Sequence, residues 1–94
     1  SEVLGKIFRD ALWEISKTRK IIKNVRGKGL LNAIVLDCDV NSKIPWEICL
    51  KLQENGLLAK PTQGNKIRFA PPLIITKRQL KNAISIIDES LRDF

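Results

Sequence analysis

Residues 20–37 read "KIIKNVRGKGLLNAIVLD", and the way this stretch is divided decides the fold. It divides into two β segments around Gly27 and Gly29. Glycine reaches positive φ at little steric cost, so the pair can bulge or bend the chain between the segments. The second segment, Leu30 to Leu36, is apolar on both sides. Leu30, Ile34 and Leu36 fall on one face, and Leu31, Ala33 and Val35 on the other. A strand of this kind calls for cover on both faces. Helices of a short chain can supply one cover, so the second face points to a partner surface or a second domain. The "GKG" of the same stretch invites a phosphate-loop reading. That reading fails, because neither GxGxxG nor GxxxxGKS/T is present and no helical pattern follows directly.

Outward from this stretch, helices and strands alternate in a short order. Residues 2–17 carry Leu4, Ile7, Phe8, Ala11, Leu12 and Ile15 at helical spacing, which predicts one core-facing stripe. Residues 43–55 predict a second helix, with Pro45 in its first turn, where a missing N–H costs nothing. Trp46, Cys49, Leu50 and Gln53 are expected to form its inner side, with Ile48 and Leu52 flanking. Gly56 is the expected left-handed residue just past its end. "LLAK" (57–60) and "KIRFA" (66–70) predict short strands joined by the turn residues "PTQGN". Thr76 and Gln79 form a T-x-x-Q capping box, with Ile75 and Leu80 as its hydrophobic staple. The last helix then sets Leu80, Ala83, Ile84, Ile87 and Leu91 on one face. The order α-β-β-α-β-β-α, with short links between strands, predicts an α+β two-layer sandwich. Its sheet is short and mostly antiparallel, with helices on one face. Residues 1–94 read as one domain.

Composition narrows the functional classes. The chain is 44% hydrophobic and 29% charged, as a folded soluble domain is. No apolar run approaches the roughly 18–20 residues of a membrane span. The first residues, "SEVLGKIFRD", do not have the apolar core of a secretory signal. With no Met anywhere, the chain reads as a processed product, an excised piece or an engineered sequence. The absence of histidine excludes His-based catalysis and His metal ligation by these residues. Cys38 and Cys49 show no metal or CxxC spacing, and two free thiols suit a reducing compartment. The net charge is +7. Lys17, Arg19, Lys20, Lys23, Arg26 and Lys28 occur between Ile15 and Leu36 without one acid. Such a run offers a polyanion patch or a solvated turn and strand end. No aromatic falls within it to stack on bases, which favours the solvated reading.

Few residues can carry chemistry. Asp37 and Asp39 lie two apart at a strand end, an arrangement open to acid–base or hard-cation roles but usually just solvated. Arg68 remains, in "NKIRFAPPL" (65–73). It is either an edge-strand arginine facing water or a carboxylate clamp, for which a guanidinium supplies a planar two-pronged donor that keeps its charge.

The blocks "VRGKGLLNAIVL", "CLKLQENGLLAKPT" and "IRFAPPLIIT" resemble the C-terminal segment of the ornithine aminotransferases. These are class III, pyridoxal-phosphate-dependent aminotransferases of fold type I. Three blocks in the right order and spacing carry the resemblance, most firmly from Val25 to Thr76, and the flanking helices match in pattern. The resemblance implies a small C-terminal domain that packs on a large cofactor-binding domain of a homodimer in the mitochondrial matrix or cytoplasm. It implies that Arg68 grips the α-carboxylate of glutamate or 2-oxoglutarate, and that an acid of the large domain masks it in the ornithine half-reaction. It gives "RGKGL" (26–30) a structural role near the domain junction. The family usually has His where Gln63 stands. The Schiff-base lysine, the phosphate-binding groups and the acid that pairs with the pyridine nitrogen belong to the large domain. The resemblance therefore implies no catalytic or cofactor-binding residue here, and pyridoxal phosphate only in the full enzyme. Two other readings stay open: a stand-alone or redesigned folding domain without activity, and a basic nucleic-acid-binding module.

Overall fold

Among the described residues, three helices cover one face of a four-stranded antiparallel sheet. The computed structural model describes residues 2–28, 31–62, 64–69 and 76–94. In chain order the elements are α1 (Glu2–Thr18), β1 (Ile22–Lys28), β2 (Leu31–Leu36), α2 (Ile44–Glu54), β3 (Lys60–Thr62), β4 (Lys66–Phe69) and α3 (Lys77–Ser90). The strands lie in the order β1-β2-β4-β3. This is the α+β arrangement and element order that the hydrophobic periodicities imply.

The sheet's register explains which residues meet. Val25 pairs with Ile34, and Ile34 with Ile67. Gly27 pairs with Asn32, and Asn32 with Phe69. These residues share the helix-facing side, and Ile22, Val25, Ile34, Leu36, Ile67 and Phe69 are all buried there. Helix α1 adds Phe8, Leu12 and Ile15, and the Phe8 and Phe69 rings meet edge to face with centroids 5.8 Å apart. That geometry suits the quadrupoles of two aromatic rings. Ile7, placed in the same stripe by its spacing, lies at the stripe's margin and is exposed.

Local signals set the helix ends. Gly56, with φ +96°, follows the last turn of α2. Its N–H donates to the Gln53 carbonyl, and the Leu57 N–H donates to the Leu52 carbonyl. Those two bonds make a Schellman cap. At the start of α3 the Gln79 N–H donates to Thr76 Oγ1 (3.1 Å), and the Thr76 N–H donates to Gln79 Oε1 (3.0 Å). The capping box is therefore complete. Its staple partner Ile75 lies outside the described residues.

Two expectations need correcting, and a third is refined. Helix α2 buries Pro45, Ile48, Cys49 and Leu52, while Trp46, Leu50 and Gln53 face outward. The expected inner face is thus about one residue out of phase, roughly 100° of rotation. The helix is apolar around most of its circumference, so spacing alone left the phase open, and compact branched side chains took the inside. The strand expected at 57–60 is β3, Lys60–Thr62, and Leu57 to Ala59 lead into it from the helix cap. Pro61 is tolerated there because β3 lies at the sheet edge. Of the positive φ or bulge that the glycines allow, Gly27 shows the positive φ (+157°), and the irregularity in the β1–β2 register lies between Ile22 and Asn24. Gly27 is a paired strand residue, and Gly29 lies outside the described residues.

Candidate anion-binding site

Alternation along β4 separates anchoring from presentation. Ile67 and Phe69 are 0% and 2% exposed and fix the strand to the core. Arg68, between them, must therefore emerge on the opposite face, where it is exposed. The register then shows its neighbours. Arg26 pairs with Ala33, Ala33 with Arg68, and Arg68 with Lys60. These four form one transverse row across all four strands, with side chains on the face the helices leave open. Ala33 contributes only a methyl group between the two arginine positions.

The row carries three cations and no carboxylate. Among the described residues, neither Arg68 nor Lys60 takes part in an ion pair or side-chain hydrogen bond. Like charges directly across a strand pair repel. An arrangement of this kind is relieved by an anion. A groove of about 270 Å³ lies against the pair, lined by Leu58, Ala59, Lys60 and Arg68. It offers an apolar wall beside two positive groups, which suits a small carboxylate with a short carbon chain.

A buried polar contact supports the strand beneath. Asn32, 1% exposed, lies across from both Gly27 and Phe69 on the core side. Its Oδ1 accepts a hydrogen bond from Arg9 Nη1 at 3.0 Å. Its Nδ2 finds no partner among the described residues. A Cβ on Gly27 would come within 2.5 Å of both Asn32 Oδ1 and the Leu31 carbonyl oxygen. Glycine is thus required at 27 by close approach as well as by its φ of +157°.

Other candidate residues do not converge. Asp39 Oδ1 accepts from the Asn41 N–H in a local turn, and Asp37 is exposed beside it. No group of His, Cys, Asp and Glu able to hold a metal occurs among the described residues. Cys49 is buried, and burial raises its thiol pKa from 9.0 to about 11. Cys38 is half-buried and also free. Within the basic run, Lys17 pairs with Glu14, and Arg19 Nε donates to both the Asp88 carbonyl oxygen and Asp88 Oδ1 at 3.1 Å. Two of the six cations are thus matched by acids from outside the run. Gln63 lies outside the described residues.

Pattern reading left Arg68 between a water-facing arginine and a carboxylate clamp, and it did not single out Lys60 or Asn32. Lys60 is distinguished only by its pairing register, which a three-residue strand does not disclose in advance. Asn32 carried one available signal, a lone amide inside the apolar run "LLNAIVL".

The sequence model of the family described as Aminotransferase class-III matches residues 1–91. A mitochondrial ornithine aminotransferase of Drosophila melanogaster is 48% identical over 94% of this chain and 19% of its own length. The crystal structure of an acetylornithine aminotransferase from Elizabethkingia anophelis superposes with a TM-score of 0.96 at 48% identity, covering 100% of this chain and 24% of the other. An ornithine aminotransferase structure from Toxoplasma gondii, with partial occupancy of PLP at its active site, gives 0.82 at 40% identity, covering 97% and 21%. The chain spans about a fifth of the length of the curated relatives it matches.

Proposed function

The chain belongs to the class-III aminotransferases, and on that premise we propose that it is the small-domain portion of an ornithine aminotransferase, serving transfer of the δ-amino group of ornithine to 2-oxoglutarate. Residues 1–94 act as one domain in this reading, and Arg68 receives the α-carboxylate of glutamate or 2-oxoglutarate. The observation that carries it is the placement of Arg68. It projects from a strand locked by Ile67 and Phe69 onto the uncovered face, beside a groove and without an acid partner among the described residues. A guanidinium on such a strand gives two parallel donors to a carboxylate.

The residues around the groove do not fit pyridoxal phosphate on their own. The cofactor needs an amine for its aldehyde, an acid for its ring nitrogen and a cradle of donors for its phosphate. Among the described residues no carboxylate lines the groove, and Gly27 lies in a paired strand and opens no phosphate-binding helix. Pyridoxal phosphate would be held by the remainder of the enzyme, and the open face would meet that remainder in a homodimer. In this reading the enzyme is mitochondrial or cytoplasmic, and the names of the fly and rat relatives, which include the word mitochondrial, support the first. Among the described residues no helix is long and apolar enough to cross a membrane.

The test is kinetic, in the full-length enzyme that contains this segment. Arg68→Gln should raise the KM for 2-oxoglutarate by a factor on the order of 100, the cost of leaving a buried carboxylate without its partner. An unchanged KM would overturn the reading. The free 94-residue chain, given pyridoxal phosphate, ornithine and 2-oxoglutarate, should show no turnover. Sustained turnover by the pure chain would equally overturn it.

A further inference from the structure

We propose that Lys60 is a second substrate-binding cation, which shares the carboxylate with Arg68 in a two-cation clamp spanning β3 and β4. The inference rests on the reading of Arg68 above and deepens it. Lys60 and Arg68 are directly paired in the β3–β4 register, so their side chains leave the sheet side by side on its open face. Both line the same groove, whose apolar wall is Leu58 and Ala59. Neither meets an acid among the described residues.

Two observations separate a shared clamp from two unrelated surface charges. The first is rigidity. Arg68 stands on a strand whose flanking residues are 0% and 2% exposed, and Lys60 is held against it by Pro61, which pairs with Ile67. The residue before a proline is pushed to extended conformations, so the Lys60 backbone is aimed before any ligand arrives. The second is the neighbouring row. Thr62 and Lys66 pair two residues along the same two strands, and they bring one cation and a neutral hydroxyl. The double positive charge is therefore localised at Lys60–Arg68. The chemistry divides naturally between the two groups. The guanidinium sets the plane and direction of the carboxylate through paired hydrogen bonds, while the ammonium adds a compact charge with freely rotating donors. The ligand class is a carboxylate with a short carbon chain.

The experiment uses the full-length enzyme carrying this segment, with Lys60→Met, Lys60→Arg and Arg68→Gln. The readouts are the KM for 2-oxoglutarate, the inhibition constant of glutarate as a non-reacting probe, and the melting temperature. Lys60→Met should raise both constants about tenfold, the worth of one charge-assisted hydrogen bond, while kcat falls by less than twofold. Lys60→Arg should restore most of the loss. Salt should weaken glutarate binding less in Lys60→Met than in the parent enzyme, because one exposed charge has been removed. The proposal is overturned if Lys60→Met leaves both constants within twofold while Arg68→Gln raises them. It is also overturned if Lys60→Met lowers only the melting temperature, which would assign the lysine to an acid of the enzyme itself. If Arg68→Gln also leaves both constants unchanged, the Arg68 reading falls as well, so the two failures are distinguishable. Should Lys60→Met not fold, Lys60→Gln with the same readouts decides the matter.

Discussion

The two faces of the sheet are built from the same strands but obey different rules. On the covered face Val25, Ile34, Leu36, Ile67 and Phe69 are closed over by helices and interlock with Phe8, Leu12 and Ile15. On the open face the same strands present Arg26, Ala33, Arg68 and Lys60 in a single row. Every second residue of β4 therefore holds the fold, and the residue between faces whatever the open side meets. The contrast shows how the backbone beneath an exposed side chain is fixed in a small sheet. Its rigidity comes from its immediate neighbours, whose side chains point the other way.

The comparison can be broken or sharpened by substitution. Phe69→Ala removes the largest fully buried side chain and its edge-to-face contact, and should cost about 4 kcal/mol by denaturant unfolding. A loss below about 1 kcal/mol would mean that the covered face does not anchor β4. The same contrast recurs on α2. Ile48→Ala should cost about 3 kcal/mol, and Trp46→Ser, two positions away and 58% exposed, no more than about 0.5 kcal/mol. Reversed costs would restore the helix phase that spacing suggested. Thr76→Ala should cost about 1 kcal/mol through loss of the capping box.

The thiols test the contrast by pH. The pKa of Cys49 is raised by burial, so the folded state holds that proton more tightly than the unfolded chain does. Its contribution is complete below pH 9 and is lost as pH rises toward 11. At pH 8, alkylation should therefore modify Cys38 first and leave Cys49 protected until the chain opens. Equal rates at both thiols would contradict the burial of Cys49. The smallest effect is expected on the open face. Arg68→Gln should change unfolding free energy by less than about 0.5 kcal/mol, because its side chain meets no partner among the described residues. A larger loss would make Arg68 part of the fold.

How much of this could be read in advance differs from one region to another. The helices and their ends were legible because their signals are local. Apolar spacing gave α1 and α3, and single residues gave the caps at Gly56 and Thr76. The α+β class followed from element order. The phase of α2 was not legible, since Trp46, Ile48, Cys49, Leu50 and Leu52 offer apolar character over most of the helix. Only tertiary packing chooses the side that turns inward. The start of β3 was also obscured, because Pro61 reads as turn chemistry and becomes compatible with a strand only at a sheet edge. Arg68 was visible as a cation inside a strand pattern, and the resemblance of the surrounding blocks gave it a meaning. The row it belongs to was not visible. Pairing Arg26, Ala33, Arg68 and Lys60 requires the register of four strands, including the long-range pairing of β2 with β4, and Asn32 gains its role only through Arg9 and Gly27 across the same register.

The proline at the sheet edge has a consequence for how these chains meet one another. A bare outer strand is a template on which a second copy can add its own strand, the first step toward fibrous aggregates. Pro61 withdraws one amide from β3, and Lys60 adds a charge to the same three-residue strand. At the opposite border, β1 exposes Lys23, Arg26 and Lys28 along its length. Neither border favours a newcomer, so the sheet cannot readily be extended sideways. Association of free copies would be channelled onto the open face, where it competes directly with any small anion held by Arg68.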